Sequence, residues 1–423
     1  MRNPRIVFLS SLVAFALALA FSPQRALALP TFAQAYHIDC SACHTMVPML
    51  NAYGRYVQTS AFGALDPDTM KKVLPVVIRE SVSYRSTGKL QASVPGEKWT
   101  ELNLSANVVG VLTKYLSYRL EQSFYSNNNG GGSTSHFWVA YNQLLAGDGH
   151  LVVGKFDMPA PPAMSYWADV SGFSSRSIGV GQHGYALSGS RWGVMLNYLP
   201  QNYKKQPYKV QAAYVGNSPP MYDSSLVWNM SNPYAPNQKG SDKAFQYKVA
   251  WARPDRPIEA GIYGSQGTYI LNTGYLNPID SYSVIGAYAQ RDPVKLMPGL
   301  MAFYQVTNDS NVGPGAAKNL LVQGARSWAY AVEVDESLFN GLVWLGIRPV
   351  EYTSGLQASK SGYDVLGTAT PHYGVFDIVW RNPKLSPYLF IGAESAVANA
   401  SNATYGQPAW RVSIKWASPI AGP

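Results

Sequence analysis

Charge is what this sequence lacks. Only 13 % of its 423 residues are Asp, Glu, Lys or Arg, about half the roughly 25 % usual in soluble domains. That scarcity excludes an intrinsically disordered chain and argues against an ordinary cytosolic enzyme. Long apolar runs are also missing after the start, and a mean hydropathy of −0.10 excludes a bundle of membrane helices. No Lys/Arg run interleaved with aromatics occurs, so nucleic acid is not expected as a partner. Cysteine is limited to two residues. What remains is rich in Tyr (29), Trp (11) and Gly (37). An apolar, aromatic, charge-poor chain without long runs suits a membrane β-barrel, in which outward apolar residues alternate with inward polar ones.

The one long apolar run predicts export. Arg2 and Arg5 precede an almost wholly apolar stretch from Ile6 to Phe21, and Ala26-Leu27-Ala28 supplies an A-x-A cleavage site. This is the pattern of a secretory signal peptide over residues 1–28, and the small residues at the site favour it over an uncleaved membrane helix.

Both cysteines lie in Cys40-Ser41-Ala42-Cys43-His44. The spacing C-x-x-C-H is the attachment signature of a c-type haem. Each thiol adds across one porphyrin vinyl group, and the following histidine, His44, is directed at the iron as proximal ligand. A redox C-x-x-C would want a βαβ context and a helix start, neither of which is visible. Export places the pair where bacterial haem attachment operates. One covalent haem c is therefore expected, held by Cys40, Cys43 and His44. Among distal ligands, Met46 and Met49 lie too near His44 to reach round the ring, and His37 would need a tight fold-back. Met70 has enough intervening chain, although a core role is the commoner fate of a methionine. A peroxidase-type site would have only His37 and Arg55 to draw on. His136, His150, His183 and His372 are scattered singly near apparent strand ends.

From about residue 75 the pattern changes to period two. Leu102, Leu104, Ala106 and Val108 alternate with Glu101, Asn103, Ser105 and Asn107. Phe245, Tyr247, Val249 and Trp251 alternate with Gln246, Lys248 and Ala250, and Trp410, Val412, Ile414 and Trp416 with Arg411, Ser413 and Lys415. Such alternation marks half-buried strands. Short turn signals at Gly147-Asp148-Gly149, Pro254-Asp255-Arg256-Pro257, Asn340-Gly341 and Asn382-Pro383-Lys384 are interleaved with long polar loops. That asymmetry belongs to an outer-membrane barrel. The expected fold is all-β: an antiparallel outer-membrane barrel of about 16 to 18 strands behind a short haem-binding segment. Its parity fails in 217–242 unless a short strand near Leu226–Met230 is counted. The expected organisation is a signal peptide (1–28), a haem-binding segment (29–74) and a porin-like barrel (75–423), with both termini periplasmic. Glu101, Arg119, Glu121, Glu333, Arg411 and Lys415 are candidate lumen charges.

The segments Pro30-Thr31-Phe32-Ala33, Cys40-Ser41-Ala42-Cys43-His44 and Pro48-Met49-Leu50-Asn51-Ala52-Tyr53-Gly54-Arg55 resemble the start of fused outer-membrane monohaem cytochrome–porins, whose best-known members are iron oxidases. After Phe-Ala, family members often show Arg-Gln-Thr-Gly, where this chain has Gln34-Ala35-Tyr36-His37. The resemblance implies an electron conduit that accepts electrons from extracellular ferrous iron and passes them to a periplasmic c-type cytochrome. As an enzyme it would be a ferrous iron oxidoreductase. It also implies that Cys40, Cys43 and His44 carry the haem, with Pro48 and Gly54-Arg55 shaping the segment beneath it. Loop carboxylates Asp223, Asp242, Asp309 and Asp364 are candidate oxygen ligands for ferrous ion, although solvated loop residues are the commoner case. The rival reading is a diffusion porin whose haem peptide plugs or regulates the channel.

Overall fold

The computed structural model describes residues 31–38, 40–46, 49–71, 75–87, 98–126, 133–159, 190–216, 243–270, 279–294, 297–312, 322–338, 343–353, 372–381, 390–399 and 409–417. The expected signal peptide, the 217–242 stretch and the loop positions Asp223, Asp242 and Asp364 lie outside these residues. Among the described residues no helix is long and apolar enough to cross a membrane.

A short hairpin, β1 (His44–Met46) with β2 (Met49–Leu50), precedes sixteen barrel strands. The first half comprises β3 (Val76–Thr87), β4 (Lys98–Val111), β5 (Leu116–Ser126), β6 (Ser133–Leu144), β7 (Gly149–Asp157), β8 (Ser190–Tyr198), β9 (Tyr208–Gly216) and β10 (Lys243–Ala252). The second comprises β11 (Ile258–Ile270), β12 (Ile279–Arg291), β13 (Gly299–Val312), β14 (Val322–Leu338), β15 (Val343–Thr353), β16 (His372–Arg381), β17 (Phe390–Asn399) and β18 (Ala409–Ala417). Each strand pairs antiparallel with the next, and β18 returns to β3 with Trp416 opposite Val82 and Val412 opposite Ser86, closing the ring. Closure leaves no open edge, which a strand in lipid could not tolerate.

The burial pattern is inverted relative to a soluble protein. On β6, Phe137, Val139 and Tyr141 are exposed while Thr134, His136, Trp138, Ala140 and Asn142 are buried. On β10, Phe245, Val249 and Trp251 are exposed, whereas Gln246 and Lys248 are buried. Large apolar side chains facing outward and polar ones facing inward make a lipid-facing wall around a polar-lined lumen. The chain is thus an outer-membrane barrel.

The two ends of the barrel differ. The strands joined through 112–115, 145–148, 199–207, 253–257 and 292–298 meet at one end, and the strands flanking the longer stretches 158–189, 217–242 and 354–371 end at the other. The expected turns at Gly147–Gly149 and Pro254–Pro257 are present at the short-turn end, while Asn340-Gly341 and Asn382–Lys384 lie outside the described residues. Short turns face the periplasm in such barrels and long loops the exterior. Tyr115 stacks on Tyr141 at 6.4 Å and Tyr198 on Tyr208 at 6.0 Å near that short-turn rim, as an interfacial aromatic girdle requires.

Candidate functional site: a plug at the short-turn end of the barrel

Residues 31–71 precede β3, whose first residue is at the short-turn end, and they fold back into the barrel there. The plug contains three short helices, α1 (Thr31–Tyr36), α2 (Ala52–Thr59) and α3 (Pro67–Met70), and a 3₁₀ turn at Cys40–Ala42. Local sequence explains each start. Asn51 caps α2 by accepting from the Gly54 N–H, and Asp66 caps α3 by accepting from the Thr69 N–H, with Pro67 in the first turn. The Tyr36 hydroxyl donates to the Asp66 carbonyl at 2.8 Å, tying α1 to α3. Burial pushes the Tyr36 phenol up to about 12, so it stays protonated and remains a donor.

The C-x-x-C-H segment is held from below by Asn51. Its side-chain amide donates to the carbonyls of Ser41 (3.0 Å) and Ala42 (3.1 Å), and its backbone N–H donates to Cys43 O at 2.9 Å. Gly54 supplies the second condition. A Cβ there would lie 2.0 Å from Cys43 O, so only glycine lets α2 approach the turn. Gly54→Ala is expected to part α2 from the turn at a cost of about 1–3 kcal/mol. Thermal melting of the plug, followed by proteolysis of residues 31–71, checks this.

These residues fit a c-type haem. Two thiols and a histidine in C-x-x-C-H order are the donor set such a haem requires, and a 3₁₀ turn at Cys40–Ala42 begins that segment. His44 follows at once on β1, half-buried. Met70, the candidate distal ligand, is buried in the apolar cluster between plug and wall. His37 is exposed, with a left-handed φ of 52°.

That cluster seats the plug. Phe62 stacks on Trp138 of β6 at 5.4 Å and packs against Phe32 at 5.0 Å, while Ala35, Val57 and Met70 join Val109, Val152, Phe156 and Val215 of the wall. Ala61 and Phe62 are both left-handed, at φ 48° and 66°. Such backbone costs on the order of 1 kcal/mol per residue, and the wall holds it in place: the Ser117 hydroxyl donates to Ala61 O, and the Asn142 amide donates to Ser117 Oγ at 2.9 Å.

The other side of the plug is fastened by charge. Arg55 of α2 reaches the opposite wall, where its Nη1 and Nη2 form a fork with Asp292 at 2.8 and 3.0 Å. Its Nε meets Glu259 at 3.0 Å, and Nη1 also donates to Leu50 O at 2.7 Å. Glu259 accepts in turn from Lys209 Nζ (2.8 Å) and the Tyr288 hydroxyl (2.6 Å), and Asp292 from Gln290 (3.0 Å). Lys248 is buried close by. Burial alone would lower the Arg55 pKa, but Glu259 and Asp292 outweigh it and raise the pKa, so the guanidinium stays charged. Arg55 is thereby committed to the wall, which overturns the idea that it could serve a peroxidase-type site beside His37.

Of the candidate lumen charges, Arg119 and Glu121 are ion-paired with each other on β5. The side chains of Glu101, Glu333, Arg411 and Lys415 lie outside the described set, as does that of Asp309 on β13. Sequence reasoning missed Lys209, Glu259, Tyr288 and Asp292. An available signal was Glu259 between Ile258 and Ala260, a charged residue in the inward register at a strand start.

No protein-family model matches the sequence, and no curated protein matches it. Solved structures do. An anion-selective porin from Comamonas acidovorans aligns over 82 % of this chain and 99 % of its own, at 12 % identity and a TM-score of 0.52. OprB of Pseudomonas putida aligns over 84 % and 96 %, at 10 % identity and 0.52. A loop-deletion mutant of the outer-membrane protein OmpT of Vibrio cholerae aligns over 81 % and 98 %, at 10 % identity and 0.54. At such identities the likeness is one of fold, a porin-like outer-membrane β-barrel.

Proposed function

We propose that this barrel is an electron conduit. Cys40, Cys43 and His44 would hold a covalent c-type haem, which would supply one-electron transfer between extracellular ferrous iron, or a similar donor, and a periplasmic c-type cytochrome. The observation that carries the reading is the location of the C-x-x-C-H turn within a plug seated by Arg55 and Phe62 at the short-turn mouth of the barrel. A barrel filled there by its own chain is poorly built for free diffusion, yet well built to hold one group between outside and periplasm. When bound, the haem supplies one-electron chemistry. The protein's own residues fix position: Asn51 and Gly54 hold the turn, and the wall insulates it from lipid.

The rival reading, a porin gated by the plug, is favoured by one observation, namely that a single arginine makes the charged contacts to the far wall. Two measurements separate them. Anaerobic ferrous iron added to the purified protein should produce the reduced haem bands, with no solute flux from vesicles. Flux without haem reduction would favour the gated porin.

A further inference from the structure

We propose that the short-turn rim beside α2 is a docking surface for an acidic redox protein, built from the exposed ring of Tyr53 and the flanking cations Lys204, Lys205 and Arg256. A row of aromatic rings joins the C-x-x-C-H segment to that rim. Tyr53 stacks on Tyr56, one turn further along α2, at 6.4 Å, and Tyr56 meets the ring of Tyr203 edge-on at 6.0 Å. Burial raises the Tyr53 pKa, and the Cys43 thiol, within electrostatic reach of the phenol, raises it too. Tyr53 is nonetheless 39 % exposed, so a single side chain links the attachment turn to solvent. Tyr203 belongs to the β8–β9 connection, and its contact with Tyr56 draws that connection over the plug, away from surrounding lipid. Ala52 and Tyr56 line a small cleft there with Leu199, Arg253 and Pro254.

Charge sets the sign of the partner. Connections 145–148, 199–207 and 253–257 carry Lys204, Lys205, Arg253 and Arg256 against Asp148 and Asp255, four cations to two carboxylates. Both carboxylates are engaged: Asp255 accepts from Arg253 at 2.9 and 2.7 Å, and Asp148 from the Gln201 N–H at 2.9 Å. Lys204, Lys205 and Arg256 are exposed, and among the described residues the two lysines form no ion pair. Cations around an aromatic contact would steer an acidic face to this rim and hold it. Naming the partner a one-electron acceptor rests on the conduit reading: the haem gives up one electron, one centre in the partner gains it, and no bond is made or broken. The docking itself rests on this surface alone.

The test uses the full chain in phosphatidylcholine nanodiscs, with the acidic electron carrier flavodoxin as probe and the basic mitochondrial cytochrome c as control, read by surface plasmon resonance. Flavodoxin should bind saturably and lose affinity as salt is raised, and cytochrome c should not bind. Lys204→Glu combined with Lys205→Glu should weaken flavodoxin about 10-fold or more, whereas Lys114→Glu, on the β4–β5 connection, should change it less than about 2-fold, because screening confines the effect to nearby charges. Heat-modifiable migration checks that each variant is folded. Wild type that binds no flavodoxin or binds cytochrome c as well, or a double variant that binds flavodoxin unchanged, overturns the surface. Phosphatidylglycerol retained by wild type and lost by the double variant, without flavodoxin binding, would assign the lysines to lipid headgroups and overturn it too. Haem-stained wild type that binds no flavodoxin would sink this inference and spare the conduit, and flavodoxin binding by unstained wild type would do the reverse.

Discussion

Arg55→Ala is expected to free the plug from the far wall while the barrel stays folded. The guanidinium makes four contacts: two to Asp292, one to Glu259 and one to Leu50 O. With it gone, Lys209 and Tyr288 still serve Glu259, but Asp292 keeps only Gln290 among these partners. Removing one partner of a buried pair costs about 3–5 kcal/mol, because the remaining charge stays desolvated. That cost falls on the docking of the plug, since the barrel's own ladder pairs do not involve Arg55. Planar-bilayer recordings should therefore show a conductance absent from wild type, and protease added at the periplasmic side should cleave residues 31–71. Arg55→Lys should recover little, because an ammonium cannot form the fork to Asp292. A variant as closed and as protected as wild type would show that the apolar seat alone holds the plug.

The second large effect concerns the C-x-x-C-H turn. On denaturing gels, haem stain should persist in wild type made with the attachment machinery and vanish in Cys43→Ala. His44→Ala should keep stained protein, since both thiols remain, yet lose reduction by ferrous iron, because the iron has lost its proximal ligand. Heat-modifiable migration should be the same in all three, since none of these residues contributes to the barrel strands. Unstained wild type would end the haem reading. Stained wild type that other small donors reduce but external ferrous iron does not would remove the iron-oxidase assignment alone.

The barrel was legible because its determinants are local. Alternation such as Phe245, Gln246, Tyr247, Lys248 is written in adjacent residues, and the lipid-facing and lumen-facing sets follow from it directly. The C-x-x-C-H turn was legible for the same reason, as were Asn51 and Gly54 as part of a contiguous motif. The docking was not. Arg55 lies 204 residues from Glu259 and 237 from Asp292, so nothing in the neighbourhood of any of them announces the contact. Lys248 could be placed facing inward by alternation, but its place beside Lys209 and Glu259 is fixed by the register of β10 with β9 and β11. Glu121 and His136 read as isolated polar residues until the β5–β6 register sets them opposite each other.

Closure of the ring through β3 and β18 also imposes an order on assembly. The plug is made before every barrel strand, and the two fasteners that hold it come from different halves of the chain. Ser117 and Trp138 sit on β5 and β6, among the early strands, whereas Glu259 opens β11 and Asp292 follows β12. Contacts across longer chain separations carry a larger loop-closure cost and are made later. The apolar seat can thus hold the nascent plug against a half-built sheet, and the arginine engages only when the later strands curl round to meet it. The plug's final ionic contacts register that the second half of the wall has arrived.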